Sequence, residues 1–159
     1  MVKKIVLWIL VILISAQIFS FSGATSEKSG ETSKKITTVV YKTAKKVVHV
    51  KKGEEKIFFK KCDRFVRKTA HFVEYLVLAL AVYELLRSYN LKIGYCILIS
   101  ATYCLLYAIT DEVHQLFVDG RSGNVKDVVI DFFGSLTGLL LRFAIFRLNK
   151  LRKMKIKQI

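Results

Sequence analysis

Four long apolar runs alternate with polar segments along the chain. They occupy residues 5–21, 70–86, 93–109 and 128–146. At a rise of 1.5 Å per residue, helices of about 17–19 residues reach roughly 26–29 Å, close to the ~30 Å hydrocarbon thickness of a bilayer. The pattern therefore predicts an all-α, multi-pass membrane protein with about four transmembrane helices, in a single domain over 1–159.

Two of these runs allow a second interpretation. The run at 5–21 follows a short basic start, and Ser22 and Ala24 form a small-x-small pair just beyond it, so a cleavable signal peptide is the alternative to a span. Its length favours a span. The run at 70–86 is interrupted by charge at Glu74 and Glu84, and taken alone it could be a buried helix of a soluble protein.

The longest polar segment, 22–68, separates the first two runs. Its first part, SGATSEKSGETS, is rich in Ser, Thr, Gly and charge, and this composition predicts a loop. From Lys34 onward, short apolar clusters alternate with lysines, as in an amphipathic helix or hairpin on a membrane surface. A solvated basic linker is the alternative.

Composition supports the membrane class and indicates the kind of partner. Hydrophobic residues make up 53% of the chain, and 27 basic against 12 acidic residues give a formal charge of +15. Such charge outside the apolar runs suits membrane lipids with anionic head groups or an anionic polymer. No nucleic-acid partner is expected, because a nucleic-acid binder does not need four apolar runs of membrane length. The three cysteines lack a CxxC spacing and are interpreted as free, small apolar residues.

The alternation of spans brings separate polar groups to one membrane face. Four spans place both termini on one side, and the segments 22–68 and 116–126 together on the other. Polar residues that begin the second span, end the third and begin the fourth then meet, and ionisable groups there form a functional-site hypothesis. The candidate binding residues are Lys68, His71, Tyr75, Asp111, Glu112, Gln115, Arg121, Asp127 and Asp131.

Three interpretations of this group remain open. The side chains could form structural ion pairs, Arg121 with Asp127 or Glu112, and His71 with Glu74. They could instead bind a polar or anionic head group through charge-assisted donors. Acid/base or metal chemistry is the third interpretation, but the HxxE and DExH spacings match no zinc signature, so no metal site and no cofactor are predicted. The candidate catalytic residues are His71, Glu74, Asp111 and Glu112.

Gly134 and Gly138 have the small-xxx-small spacing that lets a neighbouring helix approach closely. They share a helix face with Asp127, Asp131 and Arg142. We therefore expect the side chain of Asp131 to face protein and not lipid.

Four separated motifs resemble the VanZ-like membrane family in order and spacing: IFSFSGATSEKSGETS, RKTAHFVEYLVLAL, DEVHQLFVDGR and DVVIDFFGSLTG. The positions that match the family's motifs are Lys68, His71, Phe72, Glu74, Tyr75, Asp111, Glu112, Gln115, Phe117, Arg121, Asp127, Gly134 and Gly138. Two positions depart from the pattern: Asp119 stands where a proline is common, and Asp131 where an asparagine is frequent.

The resemblance implies a multi-pass protein of the bacterial envelope, in the cell membrane, with the motif loops on the extracytoplasmic side. The positive-inside rule favours the opposite orientation, because the motif face carries more basic residues. The family's named member is associated with low-level resistance to the glycopeptide antibiotic teicoplanin.

The first functional hypothesis is a protein that engages a lipid-linked envelope precursor or an anionic polymer. The alternative is a membrane-embedded enzyme acting on a lipid-linked substrate, with His71 as acid/base next to Glu74 and with Asp111 or Glu112 as its partner.

Overall fold

A computed structural model describes residues 1–23, 26–51, 53–119 and 123–156. It contains the helices α1 (Val2–Ser22), α2 (Ser26–Val47), α3 (Glu55–Ser88), α4 (Ile93–Gln115) and α5 (Val125–Ile156). No strand occurs within these ranges. The predicted all-α class is confirmed.

Four of the helices, α1, α3, α4 and α5, are long and apolar enough to cross a membrane. Large apolar side chains remain exposed on their outer faces, for example Ile12 on α1, Leu98 and Leu106 on α4, and Leu140 on α5. Such surfaces suit contact with lipid, since a helix that is hydrophobic all round belongs inside a protein or a membrane. The chain is therefore a multi-pass membrane protein with four spans, as predicted.

Three helices continue well beyond the apolar runs that reveal them. The 34 residues of α3 extend over about 51 Å, so its first turns project outside a ~30 Å hydrocarbon layer. α4 continues past the predicted end at 109 to Gln115, and α5 continues to Ile156. The apolar run measures the part of a helix that lies in lipid, and it does not mark where the helix begins or ends.

The prediction of a loop at 22–33 is wrong from Ser26 onward, where α2 begins. Of the two forms predicted for the segment after Lys34, the amphipathic helix is the one observed. The polar segment can form a helix because it contains no proline. Packing of α2 against α3 outweighs the weak helix preference of its Ser, Thr and Gly residues.

α3 lies at the centre of the bundle. It contacts each of the other four helices, and its most extensive contact is with α5. Tyr75 and Leu78 of α3 are fully buried in the core, together with Cys96 and Cys104 of α4. All three cysteines are buried and free, in agreement with their interpretation as small apolar residues.

Gly134 and Gly138 lie where α5 crosses α3. A methyl group at Gly138 would come 2.7 Å from the carbonyl oxygen of Leu76, and one at Gly134 would come closer still to the carbonyl oxygen of Phe72. The absence of a Cβ atom therefore permits this close backbone approach. The expectation that the side chain of Asp131 faces protein and not lipid is confirmed, because this side chain is only 2% exposed.

Candidate functional site

Three helices bring polar residues to one end of the bundle. α3 contributes His71, Glu74 and Tyr75, which lie where the helix enters its apolar part, after the first turns that project beyond the hydrocarbon layer. Asp111 lies in the last turns of α4, and Asp131 lies in the second turn of α5. These residues lie at the ends of the apolar spans, which a membrane topology of four spans places at the same face.

The centre of the site is a cluster of His71, Asp111 and Asp131. One nitrogen of the imidazole and one oxygen of each carboxylate all lie within 4.8 Å of one another. Asp111 is 3% exposed, Asp131 is 2% exposed, and His71 is half-buried. The cluster is thus largely closed to solvent, although its members are far apart in sequence.

The surroundings of the cluster are polar and tightly packed. The side-chain amide of Gln115 donates to Oδ2 of Asp111 over 3.4 Å, and the hydroxyl of Ser135 donates to the backbone oxygen of Asp131 over 3.1 Å. Tyr75 is fully buried, and its hydroxyl has no hydrogen-bond partner within the described ranges. Its hydroxyl lies within electrostatic range of the carboxylates of Asp111 and Asp131.

Glu112 serves the connection between α4 and α5. Its Oε2 accepts a hydrogen bond of 2.7 Å from the backbone N–H of Asn124, immediately before α5 begins. A Cβ atom on Gly123 would lie 2.7 Å from the backbone oxygen of Glu112, so the chain passes very close to the end of α4. Glu112 therefore anchors the start of α5, a role that the sequence did not indicate.

Ion pairs line the edge of the site. Lys68 of α3 pairs with Asp127 of α5, and both side chains are about one third exposed. Oε2 of Glu74 lies 3.8 Å from Nδ1 of His71, which is the pair that the structural interpretation named. Lys68 thus joins α3 to α5, and its ion pair with Asp127 is accessible to solvent.

One predicted participant cannot be placed, and the histidine of the DExH spacing lies away from the cluster. Arg121, which was expected to pair with Asp127 or Glu112, is outside the described residues. His114 stacks on the ring of Phe19 with centroids 4.2 Å apart, and its Nε2 would lie 3.2 Å from a Cβ atom on Gly23. His114 thereby packs α4 against the end of α1.

Sequence reasoning missed Asp63, which connects two helices. Its Oδ1 accepts hydrogen bonds from Ser33 over 2.7 Å and from Thr37 over 3.1 Å, and its Oδ2 lies 3.2 Å from Nε of Arg67. The (i, i+4) spacing of Asp63 and Arg67 could have indicated their pair. Nothing in the sequence pairs Asp63 with the two hydroxyl groups of α2.

A second missed contact lies at the other end of the bundle. Arg142, which the sequence left unexplained inside a span, pairs with Glu84 of α3, and its guanidinium also lies over the ring of Tyr83. A charged residue in each of two apolar runs was the available indication, because charges within a membrane are usually paired.

Comparison with known proteins places the chain in one family. No curated protein and no solved structure matches it significantly. The family model described as VanZ/LLP1 matches residues 6–147. This range includes every candidate site residue and all four spans, apart from the first residues of α1 and the last residues of α5. The match covers most of the chain, and the protein belongs to the VanZ/LLP1 family.

Proposed function

We propose that this membrane protein of the bacterial envelope binds an anionic, lipid-linked envelope component at the end of the bundle where α3, α4 and α5 meet. The observation that carries the proposal is the buried polar cluster of His71, Asp111 and Asp131, placed directly beside the basic first turns of α3. Ionisable groups buried at the edge of a membrane are costly, and they usually mark function.

A row of basic groups leads from the surface to this cluster. One stripe of α3 carries Arg64, Lys68 and His71 in succession. Arg64 is exposed to solvent, whereas Lys68 and His71 are half-buried. Guanidinium and ammonium groups form strong charge-assisted hydrogen bonds with phosphate and carboxylate. The stripe therefore suits the head group of an anionic lipid.

Exposed apolar side chains on the outer faces of the same two helices suit the tail of the same molecule. Val73 and Val77 of α3 are 48% and 42% exposed, and Val129 and Phe133 of α5 are 47% and 59% exposed. These side chains follow the polar end along the two helices that carry the site. A ligand with a charged head and a long hydrocarbon chain would contact both surfaces.

The family suggests where this activity matters. We place the polar end on the extracytoplasmic side and propose that it lowers susceptibility to teicoplanin-type glycopeptides, which act on envelope precursors there. The high basic charge of that end does not forbid the orientation, since long segments are translocated largely regardless of charge.

Binding of a polyprenyl phosphate by the purified protein tests the proposal. Lys68→Gln removes the ammonium group one turn before His71 on α3, and we expect it to weaken binding by roughly tenfold, as loss of one charge-assisted contact does. Lys150→Gln, at the far end of α5, is the matched control and should bind as the wild type does. Native mass spectrometry with phosphatidylcholine as the competing lipid measures the difference.

The same variants provide a readout in cells. At equal abundance in the membrane, Lys68→Gln should lose the protection against teicoplanin that the wild type and Lys150→Gln confer on a susceptible bacterium. Equal binding and equal protection by all three proteins would contradict the proposal. Loss of folded protein in Lys68→Gln alone would show that the residue is structural.

A further inference from the structure

The cluster at the polar end has the composition of a metal site. His71 offers an imidazole nitrogen, and Asp111 and Asp131 each offer a carboxylate oxygen. Ligand atoms about 2.0–2.2 Å from a common ion lie at most ~4.4 Å from one another. Because the three atoms already lie within 4.8 Å, small side-chain rotations are sufficient to bring them around one ion.

An independent observation points into the same space. Tyr75 is fully buried, and its hydroxyl lacks a hydrogen-bond partner in the described part of the chain. A buried hydroxyl left in this state is unfavourable, because it has lost its hydrogen bonds to water. Tyr75 lies one helical turn after His71 on α3, and its hydroxyl is within electrostatic range of the carboxylates of Asp111 and Asp131. This hydroxyl is therefore the candidate for a fourth oxygen.

The charge of Asp131 gives a second reason for a cation. Its side chain is 2% exposed, and none of the lysines, arginines and histidines in the described ranges forms an ion pair with it. An ionised carboxylate buried in this way costs several kcal/mol unless a positive charge is close. A bound divalent ion would provide that charge.

The residues around the cluster suit a metal site as well. Metal-binding histidines usually have a carboxylate or carbonyl near the ring, and Oε2 of Glu74 lies 3.8 Å from Nδ1 of His71. Gln115 donates to Oδ2 of Asp111 and fixes the orientation of that carboxylate. Outer contacts of this kind hold ligands in place before an ion arrives.

We propose that His71, Asp111 and Asp131, together with Tyr75, bind a divalent first-row transition-metal ion such as Mn²⁺ or Zn²⁺. A mixed set of one imidazole and two carboxylates favours these ions over Ca²⁺ and Mg²⁺, which prefer oxygen ligands alone. The ion would join α3, α4 and α5 at one point. This proposal does not depend on the identity of the lipid ligand proposed above.

Mn²⁺ is the best probe, because it prefers nitrogen and oxygen ligands and will avoid the three free cysteines. Full-length, tag-free protein in detergent is stripped with a chelator and titrated with Mn²⁺ by calorimetry. We expect one ion per chain. Pulsed electron paramagnetic resonance of the loaded protein should show coupling to an imidazole nitrogen.

Asp131→Asn tests the ligand set while nearly preserving side-chain shape. Loss of a direct ligand should weaken Mn²⁺ binding by at least about tenfold, the smallest effect usual for outer contacts. Glu84→Gln removes a half-buried carboxylate at the opposite end of the bundle, and it should bind Mn²⁺ as the wild type does.

The wild-type measurements decide the matter even where a variant fails to fold. Absence of stoichiometric Mn²⁺ and Zn²⁺ binding, or a bound Mn²⁺ without nitrogen coupling, would overturn the proposal. So would unchanged binding in a folded Asp131→Asn protein. Since the probe is the metal alone, these results are separate from those of the lipid-binding experiment.

Discussion

At the scale of single residues, the polar site depends on two positions that have no side chain. Gly134 and Gly138 let the backbone of α5 reach the carbonyl oxygens of Phe72 and Leu76. Asp131 lies one turn before Gly134, so the same close approach carries its carboxylate to the α3 side of the bundle. The geometry of the cluster therefore follows from the packing of α5 on α3.

Gly134→Ala should destabilise the protein, because the added methyl group would overlap the backbone of α3. Overpacking of this kind typically costs about 1–3 kcal/mol, and a backbone atom yields less readily than a side chain. We expect a lower thermal unfolding midpoint and a lower yield of monodisperse protein in detergent. Scanning fluorimetry and size-exclusion chromatography measure both quantities.

Gly94→Ala provides the control, since a Cβ atom there would meet nothing within 4 Å. Alanine is also the better helix former, so this variant should be as stable as the wild type or slightly more stable. Equal midpoints for the two variants would show that α5 does not press on α3 at Gly134.

At the scale of helices, the part of α3 that projects beyond the hydrocarbon layer serves as a platform for α2. Asp63 of α3 accepts hydrogen bonds from Ser33 and Thr37, and the ring of Tyr41 lies 5.7 Å from that of Phe58. Beside this contact, Ile36, Val39 and Val47 form one exposed apolar stripe on α2, with lysines next to it. Such a stripe is typical of a helix in a membrane interface.

Asp63→Ala should loosen α2 from α3. The substitution removes the acceptor shared by the hydroxyls of Ser33 and Thr37. Thr37 is fully buried, and a buried hydroxyl that loses its acceptor costs about 1–3 kcal/mol. We expect trypsin to cleave at the lysines of α2 several times faster than in the wild type. Limited proteolysis with mass spectrometry locates the cuts.

Glu55→Gln is the comparison, because it breaks the pair with Lys45, whose members are 43% and 54% exposed. Exposed pairs contribute only about 0–1 kcal/mol, so cleavage of α2 should change little. If Asp63→Ala were cleaved no faster than Glu55→Gln, the platform would not depend on the contacts of Asp63.

The helices also show which features a sequence pattern can reveal. The four spans were predictable because hydrophobic length is a direct measure of what a membrane requires, and the close approach at Gly138 was predictable from residue spacing. α2 was missed in part, since Ser, Gly and Thr between Ser26 and Ser33 have weak helix preference and the stabilising contact comes from α3.

At the scale of the whole molecule, the alternation of the spans across the membrane predicts which polar residues come together. It predicts that His71, Asp111 and Asp131 share one face, because they lie at the start of one span, the end of the next and the start of the last. It cannot predict that the three side chains lie within 4.8 Å, which depends on how α3, α4 and α5 pack. For the same reason the short HxxE and DExH spacings gave no indication of the metal site that we propose between three helices.

The central claim is that this polar end lies outside the cell, where lipid-linked envelope components are available to it. Single cysteines at Lys51, between α2 and α3, and at Lys92, before α4, report opposite sides of the membrane, and both positions are exposed. Cys62, Cys96 and Cys104 are first replaced by alanine. Intact cells are then treated with a membrane-impermeant maleimide.

We predict that Lys51→Cys reacts in intact cells and that Lys92→Cys reacts only after the membrane is made permeable. Reaction of Lys92→Cys alone in intact cells would place the polar end in the cytoplasm and contradict the central claim.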